Sequence, residues 1–291
     1  SLGARIIVLI TIASLFVIAV IGTIQYFSTR TMMEKQIKQE LNVQAQDISN
    51  QLNAYFDRIG QIPVDIASVD SHLIEKSDHD ERITEILVSI LRSDSDILDV
   101  YTAYEKGIFS GRDYKIIGLI FDANRETIGP ILANLPGDPL YDPDQPTYDY
   151  FSDTNWYAAA IQKNGFTWGP PYFDAGGTNQ YIVSAVVSIY TPDGTLAGVS
   201  GTDVVLSHLT DIMAQIDVGI TGYGFILGPN GEYIAAPQNP DLVTQQSDIY
   251  QYAEQVRDQS LKNLGDAMTA GKTDFMDMVD PVTGKDAIVV Y

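Results

Sequence analysis

The sequence predicts an α+β protein in which a membrane anchor leads into a long N-terminal helix carrying two units of antiparallel sheet. Three observations predict it. Residues 6–24 contain no charged side chain, and at about 1.5 Å per residue such a run spans roughly the 30 Å of a bilayer core. No Gly or Pro interrupts residues 28–58, so one helix of about 30 residues should rise directly from the anchor. From about Ile97 onward, short β-branched and aromatic runs alternate with turn residues, which is the pattern of strands.

The anchor is assigned to residues 1–27. Arg5 and Arg30 bracket the apolar run, and residues 25–29 offer no signal-peptidase site. Arg5 before the span and a strongly acidic segment after it place residues after about 28 outside the cytoplasm, on a protein of the plasma membrane.

On the rising helix, Ile37, Leu41, Ile48, Leu52, Tyr55 and Ile59 form a narrow apolar stripe, with Gly60 and Pro63 expected to end or kink it. Such a stripe packs against a domain or a partner helix, and a homodimer through it is expected. A second helix is predicted over 80–93, where Ile83, Ile86, Leu87, Ile90 and Leu91 share a face and Ser77 or Asp78 caps the start. Strands follow at 98–104, 116–122, 180–190 and 196–205, the last two joined as a hairpin through Thr191-Pro192-Asp193-Gly194. Short helices are expected at 155–162 and 206–216, which closes a first unit over 28–216.

The second unit, 217–291, opens with a hairpin at 222–235 turning on Pro229-Asn230-Gly231. A helix near 249–264 and strands at 273–280 and 287–291 complete it. Its sheet is expected to continue past Tyr291.

Composition removes several function classes. With 38 acidic against 17 basic residues and a net charge of -21, the chain is unsuited to nucleic acid, whose phosphates demand clustered Lys and Arg. No Cys is present, so there is no disulfide, thiolate metal site or Cys nucleophile. His72, His79 and His208 are dispersed, with no spacing that sets two imidazoles on one face. Gly198-Val199-Ser200-Gly201-Thr202 misses a nucleophile elbow at its last position, and Asp142-Pro143-Asp144 lacks the rest of a calcium loop. No cofactor, metal or catalysis is expected.

A binding site is better marked. Tyr148-Asp149-Tyr150-Phe151-Ser152-Asp153-Thr154-Asn155-Trp156-Tyr157, then Pro170-Pro171-Tyr172-Phe173-Asp174, then Gly201-Thr202-Asp203 interleave aromatic faces with carboxylates. Between Arg125 and Arg257 the only Lys or Arg is Lys163, against 15 Asp and Glu. Aromatic faces and carboxylates together hold small cations, so the expected partner is a small cationic ligand. Phe151, Phe166 and Trp168 read as core packing; Trp156, Tyr157 and Tyr172 read as ligand contacts.

The anchor, the rising helix, Trp156-Tyr157, the Pro-Pro-Tyr-x-Asp motif ending at Asp174, Gly-Val-x-Gly-x-Asp at 198–203 and the hairpin at 222–237 resemble, in this order, the double Cache sensor domain of bacterial and archaeal chemoreceptors and sensor histidine kinases. The resemblance implies two PAS-like Cache subdomains on one helix and a ligand in the membrane-distal one. In amino-acid-binding members an Arg two residues before the Trp-Tyr pair holds the ligand carboxylate. That position is Thr154 here. The resemblance carries over Trp156, Tyr157, Tyr172, Asp174 and Asp203, with Tyr148, Asp149, Tyr150 and Asp153 completing the cage, as in an amine-binding variant. Other readings are the same sensor class holding an amino acid, a purine-like ring or a neutral solute, and an ectodomain that serves as a structural or partner-binding element.

Overall fold

The structure, a computed structural model, describes residues 2–291 apart from 111, 123–125, 132, 139–140, 154, 176–177, 217 and 220, with the backbone alone for 2–14. Helix α1 (Leu2–Leu73) is continuous over 72 residues, about 110 Å. It therefore runs ten residues beyond Pro63 and corrects the expected stop. Gly60 is small because the Phe166 ring lies on the helix there, 2.6 Å from where a Cβ would stand. Pro63 costs the helix about 3 kcal/mol. Ile59 and Ile66, both fully buried beside it, each contribute about 1.5–3 kcal/mol and offset that cost.

The expected stripe divides along its length. Ile59 enters the main core, with Leu52 and Tyr55 packed half-buried against it, whereas Ile37 stays exposed. The chain's own domain thus covers the upper part of the stripe. Residues 15–24 are bare, and α1 is long and apolar enough to cross a membrane by length and composition.

Helix α2 (His79–Ser93) buries Ile83, Leu87 and Leu91. The chain then enters a sheet of β1 (Asp99–Tyr104), β2 (Ile116–Phe121), β3 (Ile128–Pro130), β4 (Thr167–Trp168), β5 (Tyr172–Phe173), β6 (Tyr181–Tyr190) and β7 (Leu196–Val205). Its order is β3-β2-β1-β7-β6-β4, with β5 also on β6, and every pairing is antiparallel. Helix α3 (Tyr157–Lys163) interrupts the strands and α4 (Leu206–Ala214) follows them.

Alternation along the central strands separates the two faces. Val100, Val183 and Val204 meet Ile59, Ile66 and Leu87 on the helix side. Tyr101, Ala103, Val186 and Val199 meet Tyr150, Trp156 and Tyr157 on the other.

The C-terminal part holds β8 (Ile226–Leu227), β9 (Tyr233–Ala235), α5 (Asp241–Thr244), α6 (Ile249–Val256), α7 (Gln259–Thr269), β10 (Phe275–Val279) and β11 (Asp286–Val290). The single helix expected over 249–264 is two helices. Arg257 turns into the left-handed region at φ 58°, and the Asp258 carboxylate caps α7 by accepting the Ser260 and Leu261 N–H groups. The expected hairpin strands shorten to two and three residues. One apolar cluster runs from Ile59 and Val100 through Leu209 and Met213 to Tyr233 and Leu264, so it crosses the expected boundary at 216/217.

Candidate functional site

The sheet face turned away from α1 supplies the floor. Asp99 on β1 is the register partner of Asp203 on β7, which in turn pairs with Ser184 on β6. These three form one row across the sheet. In the next row, Tyr101 pairs with Gly201. A Cβ on Gly201 would stand 2.4–2.5 Å from the Tyr101 ring, so glycine there lets the phenol lie across β7. From that position the Tyr101 hydroxyl donates to Asp203 Oδ1 at 3.4 Å.

The segment before α3 supplies the wall. Trp156, 4% exposed, packs edge-on against Tyr101 with centroids 5.1 Å apart, and its indole N–H donates to the Tyr148 hydroxyl at 3.0 Å. That hydroxyl donates in turn to Asp153 Oδ2 at 3.4 Å. Asp153 also accepts the Asn155 N–H at 2.8 Å, which fixes the turn into α3. Tyr172 on β5 reaches the Ser184 hydroxyl at 3.3 Å, and Asp174 just beyond accepts the Thr178 N–H at 2.5 Å.

Other expected site residues have structural partners. Tyr157, 2% exposed, donates its hydroxyl to Glu105 at 2.8 Å. Tyr150 is fully buried and donates to the Tyr104 carbonyl at 2.5 Å. Asp149 is exposed ahead of a short 3-10 turn, with no side-chain cap bond. Thr154 lies outside the described residues. Phe151 and Trp168 pack on the cores as expected, while Phe166 is 37% exposed on Gly60.

Electrostatics set the character of the site. Burial pushes the Asp203 carboxyl up to about 7, with Asp174 adding repulsion against hydrogen bonds from Ser184, Asp99 and Tyr101. Burial, then Asp203, drives Asp99 well above the carboxylate range. Tyr101 and Tyr172 are raised by burial and then by Asp203; Tyr148 is raised by burial and then by Asp153. Tyr150 is pushed up to about 12 by burial.

Among the described residues no Lys or Arg pairs with Asp99, Asp203 or Asp174. Lys115 points to the other face, where it pairs with Asp80 and lies over Phe109. Lys106 sits over Tyr114 and Phe151, and Lys163 and Arg112 are exposed. Among the described residues no group of three or more metal-ligating side chains is present.

Sequence reasoning missed Asp99, Tyr101 and Ser184. A signal was there: the one charged residue in strand 98–104, and one Ser in the valine-rich run of 180–187.

The described residues thus form an α+β fold of antiparallel sheets on one long helix, with a polar row set into an aromatic sheet face. The chain belongs to the double Cache family, whose Cache-domain model (dCache_1) matches residues 29–291. As a Cache domain it is similar in fold to the extracytoplasmic domains of a proposed histidine kinase and of a chemoreceptor. It is 33% identical over 100 residues to methyl-accepting chemotaxis protein McpA of Pseudomonas putida, a match covering 33% of this chain and 15% of that protein. Its fold is similar to the extracellular domain of the proposed histidine kinase mmHK1S-Z3, with a TM-score of 0.67 at 21% identity over 84% and 85% of the two chains. It is also similar to the periplasmic sensory domain of the Campylobacter jejuni chemoreceptor Tlp1, with a TM-score of 0.60 at 14% identity and the same coverage.

Proposed function

We propose that this domain senses a small amine or quaternary ammonium compound in its membrane-distal unit, residues 28–216, and that residues 1–27 anchor it in the plasma membrane. One observation carries the reading: Asp203 and Asp99 are buried with Asp174 close by, and no described cation faces them. Buried carboxylates without a counter-charge are costly. A ligand cation would relieve them, and the faces of Trp156, Tyr172 and Tyr148 would wall it. Tyr150 and Tyr157 brace those walls from behind, and Asp153 and Asp174 add charge at the rim. Among the described residues, a ligand carboxylate would find no Arg or Lys there.

The output follows from packing. Strand β7 carries Asp203 on one face and, one residue on, Val204 in the core shared with α1. A shift of β7 on binding would bias the packing of α1 and pass toward the membrane. Two copies pairing along α1 where Ile37 and Val43 are exposed complete the reading of a dimeric transmembrane receptor.

Titration calorimetry of the full chain in lipid nanodiscs against amines, amino acids and purines tests it. Heat from dimethylammonium or choline is expected. Tight binding of a carboxylate compound with no response to any amine would sink the cation reading.

A further inference from the structure

Asp99 lies outside the run of residues that marks the site in the sequence, yet the sheet sets it directly opposite Asp203. The two are register partners on β1 and β7, 2% and 4% exposed, and the Asp203 backbone N–H donates to Asp99 Oδ1 at 3.1 Å. That bond aims the Asp99 carboxyl at β7. Resting on the cation reading above, we propose that Asp99 is the second carboxylate of the ligand site, and that Asp99 and Asp203 share one proton which the ligand's cationic head displaces.

Like charges side by side in a desolvated site do not both ionise; the pair takes up one proton and titrates as a unit. The described groups facing the pair do nothing to prevent this. They are Tyr101 from β1, Ser184 from β6, Tyr172 from β5, Asp174 beyond it, and Tyr148 with Asp153 from the segment before α3. All are neutral or acidic. The Tyr101 and Ser184 hydroxyls favour the ionised form at Asp203, whereas Asp99 is raised by burial and by Asp203 itself. One charge on the pair is therefore stabilised and the second is not.

A monocation supplies what the second charge lacks. As it binds, the proton leaves to solvent, the pair goes from one negative charge to two, and the added positive charge balances the change. No bond other than the carboxyl O–H is broken. The receptor would thus read amine concentration against proton concentration, with apparent affinity falling as pH drops through the range where the pair takes up its proton.

Calorimetry of dimethylammonium binding at pH 8, in two buffers of different ionisation enthalpy, counts the protons released. About one proton per amine is expected, with affinity falling about tenfold for each pH unit over the range in which the pair carries one proton. In D99N the release should vanish and the pH profile flatten, an effect that a merely structural role for Asp99 would not produce. The wild-type count needs no variant, so a misfolded D99N leaves the proposal decidable. Amine binding with no proton release and a flat wild-type profile would overturn the shared proton and leave the cation reading standing. Failure of every amine to bind would overturn both.

Discussion

His79 Nε2 lies 2.7 Å from Asp70 Oδ1, and the two side chains are 2% and 0% exposed. The pair ties the end of α1 to the start of α2. Tyr104 of β1 donates to the other Asp70 oxygen at 2.8 Å, and Asp80 meets His79 Nδ1 at 2.9 Å. Lys115, just before β2, pairs with Asp80. Two helices and the sheet are thus joined through one polar cluster, on the face opposite the proposed ligand site.

Removing Asp70 should be costly, because it strands a buried imidazole and a buried phenol. Asp70→Ala is expected to lose about 3 kcal/mol, read as a shift in the urea midpoint. Burial pulls the His79 pKa down and the Lys115 charge adds to that, yet hydrogen bonds to Asp70 and Asp80 outweigh them and raise it above 6.5. Its contribution is therefore complete below pH 6.5 and lost as pH climbs through the raised folded-state value. In His79→Gln that part of the pH dependence should be missing; a wild-type-like slope would remove His79 from the cluster's energetics.

Asp203 has the same sign for a different reason. Its folded-state pKa is pushed up from 3.8 to about 7, so the folded state holds a proton that the unfolded chain gives up, and stability falls as pH rises across that window. Asp203→Asn removes the charge and keeps the shape. It should be more stable than wild type above pH 7 while losing amine binding, the exchange expected where a site holds unfavourable charge for function. Thermal unfolding at pH 5 and pH 8 checks it, and equal loss of stability at both would contradict it.

Gly201 is open to a small, sharp test. A Cβ there would overlap the Tyr101 ring, which Trp156 backs at 5.1 Å and which cannot retreat freely. Gly201→Ala is expected to cost about 1–3 kcal/mol and to pull the Tyr101 hydroxyl from Asp203. In the double variant with Tyr101→Ala, the alanine should cost almost nothing. Equal costs in the two backgrounds would mean that the ring is not what glycine accommodates.

The Tyr157 hydroxyl to Glu105 is a hydrogen bond to a charged group, within a cluster that packs α3 on the sheet. Tyr157→Phe should lose about 1.5–3 kcal/mol in a denaturant titration. A change below about 0.3 kcal/mol would show that water replaces the phenol without cost.

Strand positions were legible in the sequence where burial and turn chemistry agreed: 196–205 is β7 to the residue, and 116–122 and 180–190 differ by one residue each from β2 and β6. Helix α1 was legible as a helix but not in length, because Gly60 and Pro63 are local stop signals that burial of Ile59 and Ile66 overrides. The break at Arg257 escaped because apolar residues resume at Leu261 and Leu264 on its far side; the polar run 257–260 and the Asp258 cap were the clue. Trp156, Tyr172 and Asp203 could be picked out because aromatic and acidic residues crowd together in the sequence. Asp99 stood out only as an acid within a strand; its place beside Asp203, 104 positions away, comes from strand pairing alone. Nor could the sequence separate Tyr157 and Tyr150, which in the proposed site brace the wall, from Trp156 and Tyr172, which there form it.

The most direct test of the central claim compares choline with 3,3-dimethyl-1-butanol, which matches it in shape and lacks its charge, by calorimetry on the full chain at pH 8. The buried carboxylates predict binding of choline alone, lost in Asp203→Asn. Equal affinity for the two compounds, or choline binding that survives Asp203→Asn, would contradict a site built to hold a cation.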